Sequence, residues 1–118
     1  MNKNDMNNPI LQEEDFSVNV SITEKENELI ITGHVITISD YWLIKEVVTD
    51  LVEKGYREII LTFNDAEVLN SSIIGFLLKL VLKENIKVKI RIKNPDLYEF
   101  LKILGVVNVF EIEKVNLT

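Results

Sequence analysis

The chain has 118 residues, enough for one compact domain and too few for two. Apolar residues make up 47% and charged residues 27%, the balance of a folded domain rather than a disordered segment. A net charge of −6 argues against binding nucleic acid or anionic lipid, and the absence of cysteine with a single histidine excludes disulfides, thiol chemistry and a multi-histidine metal site.

Residues Met1 to Asp15 are rich in Asn and acids, lack the apolar segment of a signal peptide, and read as a loosely ordered tail ahead of a domain over residues 16–118. Val18, Val20 and Ile22 alternate with Asn19 and Ser21, the pattern of a half-buried strand. Lys25-Glu26-Asn27 suits a tight turn, and Leu29-Ile30-Ile31 continue into a second strand that ends near Gly33, so the two strands form a hairpin. The spacing of Ile44, Val47, Val48, Leu51 and Val52 predicts a helix over Tyr41 to Lys54, capped by Ser39 or Asp40 and ended at Gly55. Glu58 to Phe63, with Ile59-Ile60-Leu61 consecutive, reads as a central strand covered on both faces.

Asn64 to Asn70 is a loop, and Ser71 or Ser72 is expected to cap a second helix running to about Lys83. Lys87, Lys89, Arg91 and Lys93 alternate with Val88, Ile90 and Ile92, which predicts a strand with a basic face toward water, either simply solvated or a docking patch for an acidic partner. Asn94-Pro95 opens a third helix with Leu97, Leu101 and Leu104 as its stripe and Gly105 at its end. Val109 to Ile112 is a last short strand. This order implies an α/β fold, with a mixed, mostly parallel sheet of four to five strands, an N-terminal hairpin and three to four helices. The longest apolar run, Ile73 to Leu78, is far short of the about 20 residues that cross a bilayer, so a cytoplasmic protein without direct membrane insertion is expected.

Chemistry is concentrated at Val68-Leu69-Asn70-Ser71-Ser72-Ile73-Ile74-Gly75, where the chain leaves the carboxyl end of the central strand and enters a helix. A helix start presents N–H groups and partial positive charge, so the serines there serve as caps, as part of a small nucleotide or anion site, or as a phosphoacceptor. Tyr41 and Trp42 are core residues if buried and interface anchors if exposed. Asp40, Asp65 and Glu67 could gather as a carboxylate cluster, and His34 follows the second strand without a nucleophile at a known spacing. No phosphate-binding Gly-rich loop is present and no nucleophile–base pair can be assembled, so neither an enzyme nor a cofactor is expected.

Gly33-His34-Val35, a helix, Ile59-Ile60-Leu61 and then Asn70-Ser71-Ser72-Ile73-Ile74-Gly75 together resemble the STAS domain, the fold of bacterial anti-sigma factor antagonists, over Val18 to Ile112. That family's hallmark is Asp-Ser-(Ser/Thr)-Gly-Leu-Gly at the start of the second helix. The resemblance implies a non-enzymatic signalling module with Ser71 as phosphoacceptor and Ser72 as the alternative. It implies a GHKL-type serine kinase that doubles as anti-sigma factor, and a PP2C-type phosphatase that reverses the modification. The partner surface it implies comprises Asn70, Ser71, Ser72, Ile73, Ile74, Gly75, His34 and Asp40. Four positions depart from the family pattern: Asn70, Ile36 and Thr62 stand where acids are usual, and Ile73 where the hallmark has glycine. Some members work without phosphorylation, as scaffolds or as subunits of lipid-transport ABC complexes.

Overall fold

The structure, a computed structural model, describes residues 17–115, so the tail expected over residues 1–15 lies outside it. The hairpin pairs β1 (Val18–Ile22) with β2 (Glu28–Gly33) antiparallel, with Val20 opposite Ile31. Its turn closes through Thr23 N donating to Glu28 O at 3.0 Å and Glu26 N to Thr23 O at 2.9 Å, with Glu26 at φ 69°. From β2 onward every strand is parallel to its neighbour: β3 (Glu58–Phe63), β4 (Lys87–Ile92) and β5 (Glu111–Lys114) follow in sheet order β1-β2-β3-β4-β5. The connections are the helices α1 (Ile38–Glu53), α2 (Ser71–Leu82) and α3 (Pro95–Leu104). Successive right-handed crossovers that step the same way across a sheet place their helices on one face.

Alternation along each strand divides the sheet accordingly. Leu29, Ile31, Ile59, Leu61, Phe63, Val88, Ile90 and Ile92 face the helix layer and form the core with Ile44, Val48, Leu51, Ile73, Leu77, Leu97 and Leu101. Leu104, predicted for the stripe of α3, is 47% exposed, because it sits in the last turn beyond the sheet's cover. The central strand is buried on both faces, as its continuous apolar run implies.

The other face carries an ionic ladder. Arg91 reaches Glu28 at 3.1 Å and Glu113 at 3.3 Å; Lys89 reaches Glu113 at 3.3 Å and Glu111 at 3.9 Å; Lys87 reaches Glu111 at 3.2 Å and Glu58 at 3.7 Å. Lys87, Lys89 and Arg91 of the expected basic face are therefore paired with carboxylates of the same sheet, which leaves little of it as a docking patch for an acidic partner. Glu28 is buried among these groups. Burial pushes its carboxyl up, but the hydrogen bonds from Thr62 and Arg91 and the Arg91 charge outweigh that and hold it below its ordinary value of 4.5.

Local caps differ from expectation in ways that hydrogen bonding explains. α1 starts three residues earlier than predicted: Thr37 is its N-cap, accepting from Asp40 N, and Asp40 returns the bond at the third helical position, closing a capping box. α2 is capped by Asn70, not by Ser71 or Ser72. The last strand begins at Glu111 rather than Val109, because Val109 N and Phe110 N both donate to Val106 O and Phe110 plugs the core.

Candidate functional site

The carboxyl edge of the sheet carries two neighbouring junctions, from β2 into α1 and from β3 into α2. The first is held by Asp40. Its carboxylate, fully buried, accepts from Ser17 N at 2.6 Å, Ile36 N at 3.0 Å and Thr37 N at 2.9 Å. Burial raises its pKa, but these backbone bonds together with the Thr37 hydroxyl more than compensate and leave it below its ordinary 3.8. Gly33 precedes this junction at φ 102°, and a Cβ there would collide with the backbone oxygen of Ser17, so no other residue fits.

The second junction is pinned from below and beside. Ala66 and Leu69 are buried, Gly33 N donates to the Asp65 carboxylate at 2.7 Å, and Asn94 Nδ2 donates to Asp65 O at 3.2 Å. Val68, between these anchors, is 53% exposed. Asn70 Oδ1 then accepts from Ile73 N at 2.9 Å and starts α2. Capping is thus done by Asn70, and Ser71 and Ser72 stand exposed in the first turn. Alanine at position 70 should cost about 1 kcal/mol, read as a lower urea midpoint with unchanged slope, whereas alanine at Ser71 should leave the midpoint nearly unmoved.

The helix start therefore has an outward face of Ser71, Ser72 and Gly75, and an inward face of Ile73 and Ile74. Gly75 is exposed, and a Cβ added to it would meet nothing within 4 Å. Packing does not call for glycine there, although glycine in a helix interior costs about 1 kcal/mol relative to alanine. Its effect is a low surface one turn beyond Ser71.

On α1, Ile38 is 60% exposed and Trp42, one turn on, is 51% exposed; Ile36 beside them is 69% exposed. Trp42 meets Tyr41 edge-on at 5.2 Å, and Lys45 Nζ lies 5.0 Å from the Trp42 ring and 5.8 Å from that of Phe76 on α2. Lys45 links the two helices, and Trp42 takes the exposed alternative of its sequence reading. Sequence reasoning missed Ile38 and Lys45; the signal was there, since Ile38 and Trp42 are spaced four apart and lie off the buried stripe of Ile44, Val48 and Leu51.

The expected surface is sorted by these positions. Ser71, Ser72, Gly75 and His34 are exposed and Asn70 is half-buried, on the same sheet edge. Ile73, Ile74 and Asp40, also expected on that surface, are buried beneath it. Thr62 points to the opposite face, where its hydroxyl donates to Glu28 at 3.0 Å; a carboxylate at that position would confront Glu28. Asp40, Asp65 and Glu67 do not gather: two are consumed by backbone N–H groups, and among the described residues no group of three potential metal ligands occurs.

No protein-family profile matches this chain, and no curated protein does. Solved structures do. An anti-sigma factor antagonist from Mycobacterium paratuberculosis superposes with a TM-score of 0.65 at 12% identity, over 82% of this chain and 86% of that one. A Thermotoga maritima protein assigned as an anti-sigma factor antagonist gives 0.61 at 20% identity, over 84% of this chain and 86% of its own. The chain has the STAS fold shared by these antagonists.

Proposed function

We propose that this protein is a non-enzymatic partner-switching module of the anti-sigma factor antagonist kind, acting in the cytoplasm. It docks a GHKL-type serine kinase that doubles as an anti-sigma factor. The docking surface is the outward face of the α2 start with the 34–38 loop and Trp42. Phosphorylation of Ser71 by the bound kinase is the switch, and a PP2C-type phosphatase resets it. The observation that carries this reading is the division of labour at the α2 start: Asn70 caps the helix, Ser71 and Ser72 stand exposed, and Gly75 is kept small where packing does not require it. A phosphate on Ser71 adds a charge of about −1.5 to −2 at a helix start that favours anions, and it changes the docking face by charge and bulk together.

Incubation with GHKL-type kinases from the same genome and ATP should place phosphate on Ser71 by mass spectrometry, and Ser71→Asp should weaken capture of that kinase. Gly75→Ala should raise stability by about 0.5–1 kcal/mol and yet weaken kinase binding roughly tenfold, a combination that a purely structural glycine would not give. An unmodified serine pair, with binding indifferent to Ser71→Asp, would refute the switch. It would favour a constitutive scaffold or ABC-complex subunit on the same surface, a reading supported by the neutral Asn70 in place of an acid.

A further inference from the structure

The two junctions at the carboxyl edge share one surface. Gly33 N bonds to Asp65, which ties together the loops leaving β2 and β3, and Lys45 lies over the rings of both Trp42 on α1 and Phe76 on α2. Ile36, Ile38, Trp42 and Val68 are each more than half exposed there, beside the exposed Ser71 and Gly75. Residues 32–39 and 68–78 contain no Asp, Glu, Lys or Arg, although such residues make up 27% of the chain. Of the carboxylates nearest in sequence, Asp40 and Asp65 are held by backbone N–H groups, and Glu67 is exposed at the margin. Lys45 and Glu46 follow Trp42 along α1 and begin a charged rim. A charge-poor apolar centre with an aromatic residue and a charged rim is the composition of an interface core.

We infer that phosphate on Ser71 releases the kinase through the cost of burying charge in an uncharged, apolar contact, and that Val68 belongs to that contact. This rests on the reading of Ser71 as the switch, and it names how the switch works. An acidic kinase face would bring its carboxylates against Ile36, Ile38 and Val68, where they would lose water and gain no partner even before phosphorylation. The cation beside them, Lys45, is half-buried over the rings of Tyr41, Trp42 and Phe76. A basic kinase face would pair with the phosphate, so modification would tighten the complex and not release it. A neutral apolar face fits the unmodified surface and rejects the modified one, since the phosphate must then shed its water without compensation. Remodelling of the helix start is not required. Asn70 makes the cap bond to Ile73 N, and Ser71 is exposed, so the phosphate is added without breaking the cap.

The test uses purified GHKL-type kinases from the same genome and follows their binding to the full chain by calorimetry at about 0.05 M and 0.5 M salt. Affinity for the natural chain should differ by less than about threefold between the two. Ser71→Asp should weaken binding at least about tenfold, by the same factor at both salts, and the neutral isostere Ser71→Asn by much less. Val68 is exposed, so Val68→Glu and Val68→Lys should keep the native circular dichroism. Both should weaken binding about tenfold, because a charge of either sign is costly to bury there. A Ser71→Asp effect that vanishes in high salt would mean repulsion across the contact. Opposite effects of the two Val68 variants would mean a charged kinase face, and no effect of either would place Val68 outside the contact. Each of these results overturns the inference and leaves the switch standing. Binding indifferent to Ser71→Asp, or no kinase that binds, removes the switch itself and this inference with it.

Discussion

Ile73→Ala is expected to lower the free energy of unfolding by about 3 kcal/mol, and Ile73→Gly by about 4 kcal/mol once the helix cost of glycine is added. Ile73 is fully buried, in contact with the core under the first turn of α2, and its backbone N–H makes the cap bond to Asn70. Removing the side chain leaves a cavity at the point where α2 meets the sheet, directly below Ser71 and Ser72. Urea unfolding followed by circular dichroism measures the loss, and a change below about 1 kcal/mol would mean that the helix start does not depend on this contact. The experiment also bears on the departure of this chain from the glycine-containing hallmark. Ile73 points inward, so it does not stand in the path of a docking partner; it replaces a small residue by an anchor.

Asp40→Ala should cost about 3 kcal/mol or more, and Asp40→Asn somewhat less. One carboxylate serves the N–H groups of Ser17, Ile36 and Thr37 and completes the capping box of α1, so its loss leaves several partly buried donors without an acceptor. The pH dependence follows from the same bonds. The folded-state pKa of Asp40 is depressed below 3.8 and that of Glu28 below 4.5, so their stabilisation is fully present above those ordinary values and is lost as pH falls through the lower folded-state ones. The urea midpoint should therefore drop between about pH 5 and pH 3, more steeply in the natural chain than in Asp40→Ala. Equal slopes in the two proteins would place the acid sensitivity elsewhere.

The fold was readable because each element announces itself by period and punctuation. Ile59-Ile60-Leu61 marked a strand covered on both sides, Gly55 marked a helix end that needs positive φ, Gly33 and Gly105 marked element ends, and Asn94-Pro95 marked a helix start. What the pattern could not rank was competition between adjacent capping residues. Thr37, Ser39 and Asp40 can all cap, as can Asn70, Ser71 and Ser72; the winner depends on where the preceding strand delivers the chain, a tertiary quantity. The same limit hid the ionic ladder. Alternating Lys87, Lys89 and Arg91 read as a basic face because their partners come from Glu28, Glu58, Glu111 and Glu113, on other strands whose register sequence does not state. Within the site, the exposed serines and glycine were legible as a motif, while the burial of Ile73, Ile74 and Asp40 required the packed helix.

Asp40 has a dynamic consequence as well as an energetic one. It bonds at once to the residue before the edge strand, through Oδ1, and to the loop that enters α1, through Oδ2, so loss of its side chain would loosen both attachments together. In Asp40→Ala the amides of Ser17 and Ile36 should accordingly both exchange with solvent faster than in the natural chain, although they lie 19 residues apart in the sequence. The seating of the edge strand and the mobility of the loop beside Trp42 thus depend on the same side chain.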